Sequence, residues 1–130
     1  MIDLREFLAA EAGQAYRAKL SLALMTGKGE LVLEELKMDC VRLSGAATVP
    51  LMGALPIDVI FALTAEDAGE AVYAGRTYPC DVERAGQALV LRMGSQRQHR
   101  CELTPQPGGD LTVRADLKGR PNVKMVLERL

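Results

Sequence analysis

From Tyr16 onward the chain alternates apolar and polar residues with a period of two, and that alternation limits the folds open to it. In AYRAKLSLALM, Tyr16, Ala18, Leu20, Leu22 and Leu24 share one face while Arg17, Lys19 and Ser21 share the other. This is the pattern of a strand with one wet side. The same alternation returns in IDVIFALT (57–64), EAVYAGRTYPCDV (70–82), QALVLRM (87–93), HRCELT (99–104) and DLTVRADL (110–117). The spacers AEDAG, ERAG, GSQRQ and PQPGG have turn chemistry and hairpin length, and TGKG (26–29) reads as a further turn.

Three stretches are less regular. In ELVLEELKMDCVRL, Leu31 and Leu33 have one parity and Leu36, Met38 and Cys40 the other, which predicts a bulge near Glu34–Glu35 in one kinked strand or two short ones. SGAATVPLMGALP has two prolines, two glycines and no charge, and reads as a buried or partner-covered loop. The tail, 122–130, fits either a strand or a short helix.

About eight short strands joined by short turns cannot form a parallel sheet, whose neighbours need crossovers of a dozen residues or more. The expected architecture is therefore mainly β: a single domain, 1–130, built as an antiparallel β-barrel or sandwich with strands from 15 to about 117. A short N-terminal helix is predicted over 3–12. Asp3 and Glu6 have capping-box spacing, Leu4, Phe7, Leu8 and Ala12 form one face, and Gly13 can end it. That face would plug one opening of the barrel.

Composition narrows the function classes. With 48% hydrophobic and 25% charged residues the chain is globular, and its apolar runs fall short of the ~20 residues of a membrane helix, so membrane insertion is not expected. The start MIDLREFLAAEAG lacks the charge and apolar pattern of a signal peptide. Cys40, Cys80 and Cys101 are odd in number and contain no CxxC pair, which suits reduced thiols in a cytoplasmic protein.

Charge is unevenly spread along the chain. Residues 1–83 carry 7 Lys/Arg against 13 Asp/Glu, and residues 84–130 carry 9 against 4. A basic C-terminal half invites an anionic partner, although sequence halves interleave in a closed fold.

SQRQHRCELT (95–104) holds the one histidine of the chain, with Arg97 and Arg100 around it and Cys101 two positions on. Period two places Arg97, His99, Cys101 and Leu103 on one face and Arg100, Glu102 and Thr104 on the other. Arg97, His99 and Arg100 are thus candidates for an anion-binding rim, and a thiolate at Cys101 could be favoured by its cationic neighbours. The plainer reading buries Cys101 and Leu103 where a hairpin leaves the core. Zinc would need Cys40, Cys80, Cys101 and His99 together, but they are dispersed over three strands without ligand spacing, so no metal or cofactor is expected. Residues 84–130 contain no Phe, Tyr or Trp, which argues against base stacking and hence against nucleic acid as a partner.

YRAKLSLAL, MDCVRLSGAA, and ALPIDVIFAL followed by YAGRTYPCDV carry a resemblance, over residues 16–93, to the PilZ domain. PilZ domains are six-stranded barrels of bacterial signalling proteins that often bind cyclic di-GMP. The resemblance implies a degenerate site at Arg17, Lys19, Arg42 and Ser44. The RxxxR motif is represented only by Arg17 and Lys19 inside the first strand, and Asp39, Ser44 and Gly45 do not match [D/N]xSxxG.

Taken together these features point first to a non-catalytic binding or adaptor domain acting through protein contacts or self-association, with Val49, Leu51, Met52 and Leu55 as interface residues. A small-molecule pocket at the barrel mouth near Cys101 and His99, taking an anionic ligand or supporting a thiol-dependent enzyme, is the alternative.

Overall fold

The structure, a computed structural model, describes residues 13–22, 25–37, 39–116 and 123–130. Ten antiparallel strands occupy them: β1 (Gln14–Leu22), β2 (Met25–Lys37), β3 (Cys40–Val49), β4 (Gly53–Ala65), β5 (Ala68–Tyr73), β6 (Arg76–Ala85), β7 (Ala88–Met93), β8 (His99–Pro105), β9 (Leu111–Asp116) and β10 (Val123–Arg129). Each pairs with the next, and β1 pairs with β10, so the sheet closes into an up-and-down barrel. A barrel, rather than a sandwich, is the outcome. The predicted helix over 3–12 lies outside the described residues.

Register carries the period-two pattern around the wall. Ala18 stands opposite Leu127 on β10 and Gly29 on β2, and Gly29 in turn opposes Ala47. Leu89 opposes Leu103, which opposes Val113. Residues of this parity face the interior on every strand. The other parity carries Lys19, Arg42, Asp58, Glu83, Arg92, Arg100 and Glu102 in exposed or partly exposed ion pairs. The outer wall is thus charged at many positions, where the wall of a lipid-facing barrel is apolar. Among the described residues no helix is long and apolar enough to cross a membrane.

Several boundaries differ from the sequence reading. TGKG is inside β2, not a turn, because Leu22 pairs directly with Met25. The uncharged SGAATVPLMGALP is the end of β3, a tight turn and the start of β4. Small residues on both faces erased its amphipathic signal, while its backbone pairs continuously from Gly45–Ile57 to Val49–Gly53. EAVYAGRTYPCDV divides into β5 and β6 at Ala74 and Gly75, both at positive φ (51° and 75°), which is the two-residue hairpin geometry that favours Gly at little cost. The expected irregularity near Glu34–Glu35 falls between Glu35 and Lys37, and β2 and β3 are two strands, not one. The tail is strand β10.

An up-and-down barrel sorts its connections to two ends. Links β2–β3, β4–β5, β6–β7 and β8–β9 lie at one end, with the start of β1 and the finish of β10. Links β1–β2, β3–β4, β5–β6, β7–β8 and β9–β10 lie at the other. The first end is packed solid: Tyr16, Leu31, Leu33, Val41, Phe61, Val82, Leu89, Leu91, Leu111 and Leu127 form one buried cluster there. A smaller cluster of Leu20, Ala47 and Val49 closes one side of the second end.

Candidate functional site

Beyond the solid layer the inward side chains pack against the core without being fully buried. Leu43 on β3, Val59 on β4, Tyr78 on β6, Met93 on β7, His99 and Cys101 on β8, Val113 on β9 and Met125 on β10 all face inward by register, yet each stays partly exposed. Eight strands already make a bore just wide enough to fill with side chains or hold one small ligand, and ten make it wider. The lumen wall they form toward the second end, from β3 round to β10, is chiefly aliphatic and thioether.

Its polar content is concentrated on β6–β8. His99 opens β8 opposite Met93, which opposes Cys80 on its other side. The His99 ring meets Tyr78 edge to face, with centroids 6.5 Å apart at 85°. Its Nδ1 is buried and has no hydrogen-bond partner. A buried ring nitrogen without a partner loses its hydration without compensation.

The thiols are held in their neutral form. Burial pushes Cys101 up to about 12, with the neighbouring Cys80 thiol adding to the effect. Burial likewise pushes Cys80 up to about 11, and its Sγ donates to the Tyr78 carbonyl at 3.4 Å. Cys101 is thus hemmed in by protein while a portion of the residue still borders the lumen. A nucleophilic thiolate needs the opposite environment, so the site lacks the activation that thiol chemistry requires.

The predicted rim residues are separated. His99 faces the lumen, whereas Arg100 is on the outer wall, 3.0 Å from Glu102. Arg97 precedes β8 in a turn with φ of 56°, and this left-handed residue breaks the alternation that would have placed it beside His99. It donates to the Gly94 carbonyl at 2.6 Å and its Nε lies 2.8 Å from Asp81, an ion pair whose angle falls short of a hydrogen bond. Arg17, Lys19, Arg42 and Ser44 all have outward parity on β1 and β3. Lys19 lies 2.8 Å from Glu128. Arg42 donates twice to Asp58 at 2.9 Å, and these bonds hold the Asp58 carboxyl below its ordinary value.

Among the interface candidates, Val49 and Leu55 point inward in the smaller cluster, whereas Leu51 and Met52 project from the β3–β4 turn. Among the described residues no group of His, Cys, Asp and Glu is placed to hold a metal ion. Sequence reasoning singled out His99 and Cys101 but missed Tyr78, Met93, Leu43, Val59, Val113 and Met125. Tyr78 was findable, because it shares parity with Cys80 and Val82. The cross-barrel partners were not, since nothing local says which strands surround one space.

The chain matches no protein-family model and no curated protein. It does resemble solved barrels. One is an S-type phycobiliprotein lyase from Guillardia theta, with a TM-score of 0.63 and 9% identity over 99% of this chain and 93% of that one. Another is a redesigned β-barrel, mFAP1, bound to DFHBI, with a TM-score of 0.53 and 12% identity over 98% of this chain and 100% of that one. At such identities the likeness is one of fold.

Proposed function

We propose that this protein is a non-catalytic binding domain that takes one small, largely apolar molecule into its lumen. The observation carrying this reading is the ring of inward yet partly exposed side chains, Leu43, Val59, Met93, Val113 and Met125. Leaving such a wall wet costs about 25 cal/mol per Å² of apolar area relative to covering it. An apolar guest would recover that free energy. The redesigned barrel bound to DFHBI supports the reading, as a barrel of similar outline that carries a small molecule.

The test uses the neutral fluorophore N-phenyl-1-naphthylamine and the variant Val113→Trp, whose larger ring would occupy the lumen. Saturable binding to the native protein at one site, lost in Val113→Trp while the folded spectrum persists, is expected. No saturable binding to the native protein overturns the proposal.

A second reading, an adaptor or self-associating role, is favoured by the β3–β4 tip, where Leu51 is fully exposed and Met52 half exposed. Sedimentation of the native protein and of Leu51→Ser/Met52→Ser tests it, and a monomer in both at high concentration ends the self-association reading. The PilZ resemblance adds cyclic di-GMP on the outer wall at Arg17, Lys19, Arg42 and Ser44. Such a ligand would have to displace Asp58 from Arg42 and Glu128 from Lys19, and calorimetry with the dinucleotide, with Arg42→Ala as control, checks whether it does.

A further inference from the structure

We infer that the barrel docks on an anionic lipid bilayer through its second end. Leu51 and Met52 at the β3–β4 tip enter the headgroup layer, and Lys28, Lys124 and Arg114 on the outer wall at that end meet its phosphates. The surface lies outside the barrel, so the inference goes beyond the lumen reading and does not rest on it.

The tip is apolar and packs on nothing. Pro50, Leu51, Met52, Gly53 and Ala54 are all exposed, Leu51 completely. Leu51 also holds a left-handed backbone, with φ of 70°, a conformation that is costly for a residue with a Cβ and free of cost for glycine. The fold gains no packing from this side chain, so any burial it finds comes from outside the chain. Two apolar side chains hold a bilayer weakly by themselves, and stable attachment takes a second signal such as a basic patch.

Register supplies that signal. Two rows of outward side chains cross the sheet at this end. One runs Arg114, Lys124, Ser21, Thr26 from β9 to β2. The other runs Thr112, Val126, Lys19, Lys28, Thr48, Ala54 from β9 to β4. Neither stretch contains an acid. Acids enter in the row behind them, where Glu128 and Glu30 flank Arg17, and on β8, where Glu102 opposes Arg114 but is bound by Arg100. Lys19 is paired with Glu128. Lys28, Lys124 and Arg114 are exposed and make no side-chain hydrogen bond or ion pair among the described residues. Lys28 opposes Thr48, three residues before Leu51, which brings it within ~15 Å of the tip.

The patch also carries a cost that an anion would remove. Lys124 and Arg114 stand directly opposite each other, and like charges so placed destabilise a sheet. Arg92 and Arg100 face each other too, but Glu83 and Glu102 neutralise them. An external anion would do for the first pair what these carboxylates do for the second. A soluble polyanion such as a nucleic acid would leave Leu51 and Met52 wet, and the two rows have no aromatic side chain on which a base could stack. A bilayer covers both features, with phosphates for the cations and an apolar layer for the tip.

Co-sedimentation of the full chain with two kinds of vesicle tests the inference: phosphatidylcholine alone, and equal parts of phosphatidylcholine and phosphatidylserine. The native protein is expected to bind the mixed vesicles, less as salt rises, and to leave the neutral ones unbound. Leu51→Ser/Met52→Ser and Lys28→Gln/Lys124→Gln, each with an unchanged melting transition, should lower partition onto the mixed vesicles by about tenfold. Arg42→Gln/Arg92→Gln removes the same charge elsewhere on the wall and should lower it less than about twofold. No binding of the native protein to the mixed vesicles overturns the inference, as does equal binding to both kinds. Binding that the tip variant leaves unchanged overturns it as well, and so do equal losses in the two charge variants, which would reduce the effect to net charge. A dimer that forms without vesicles, dissociates in Leu51→Ser/Met52→Ser and ignores the mixed vesicles gives the tip to a second copy of the chain and overturns the inference. All of these results leave the lumen reading untouched, because N-phenyl-1-naphthylamine binding is measured separately in vesicle-free solution.

Discussion

The two ends of the barrel are built from the same ten strands and behave as different materials. At the closed end, Tyr16, Phe61 and the leucines 31, 33, 89, 91, 111 and 127 converge and exclude water, and the links around them are acidic. At the open end the inward positions include Gly27, Gly29, Gly45, Ala47 and Ala115, and the turns carry no acid among the described residues. Side-chain volume at inward positions is what differs. Bulky residues fill the bore at the closed end, while the small ones on β2 and β3 let the backbones come together over Leu20, Ala47 and Val49.

Glycine has a further role at the open corner. A Cβ on Gly29 would run into the Ala46 carbonyl oxygen and come within 2.6 Å of the Ala47 Cα. The β2 and β3 backbones approach each other there more closely than a side chain permits. That approach lets the long β2, β3 and β4 fold over Leu20, Ala47 and Val49, closing one side of the mouth and leaving the other open.

The contrast between the ends can be broken by experiment, and the largest effect belongs to the plug. Leu127→Ala, at a fully buried position, is expected to cost ~2–5 kcal/mol in urea unfolding, whereas Leu43→Ala on the lumen wall should cost roughly 1–2 kcal/mol, because its removal extends an existing space rather than creating one. Equal losses would mean that the lumen is packed as tightly as the plug. Next comes the corner. Gly29→Ala must push the β2 and β3 backbones apart, and a loss of about 1–3 kcal/mol is expected; an unchanged midpoint would show that the corner is loose.

Alkaline titration sharpens the same comparison. Cys80 and Cys101, held at about 11 and about 12, sit above the ~8.5 of an exposed thiol. Burial favours the neutral form in the folded state, so their contribution to stability is complete below about pH 8.5 and is lost as pH rises toward 11 and 12. Tyr16, raised by burial in the plug, acts in the same direction. Urea midpoints should therefore fall from pH 8.5 upward, and Cys101→Ala should flatten that fall. The same slope in the variant would show that the thiol ionises in the folded lumen without penalty. The smallest effect is reserved for the outer wall: Asp58→Asn removes the partner of Arg42 at an exposed site screened by salt, and no measurable shift in the midpoint is expected. A clear loss there would place the outer wall, rather than the two ends, at the centre of the stability argument.

The charge asymmetry between sequence halves shows how topology rearranges a linear signal. Basic Arg92 and Arg97 from the later half meet Glu83 and Asp81 from the earlier half, because β7 and the turn before β8 lie beside β6. The halves neutralise each other on the wall. What survives is an asymmetry between ends, which depends on the order in which an up-and-down chain visits them. The site was legible to a similar degree. His99 and Cys101 stood out because their residue types are rare in this chain, and their shared parity was readable at once. Arg97 was misplaced, since a single left-handed residue in the turn ends the alternation, and no composition signal marks which arginine will adopt it.

Alternation by itself determined that this chain makes antiparallel strands with one oily face, because successive side chains of a pleated strand point to opposite sides wherever that strand ends up. It determined too that Cys101 and Leu103 share a face with His99. Strand number, closure of β1 on β10, the plug at one end and the unpartnered nitrogen of His99 were decided by tertiary structure alone. The reason is physical: the direction of a side chain is a local consequence of backbone geometry, whereas the width of a bore and the groups that share it depend on every register around the ring at once.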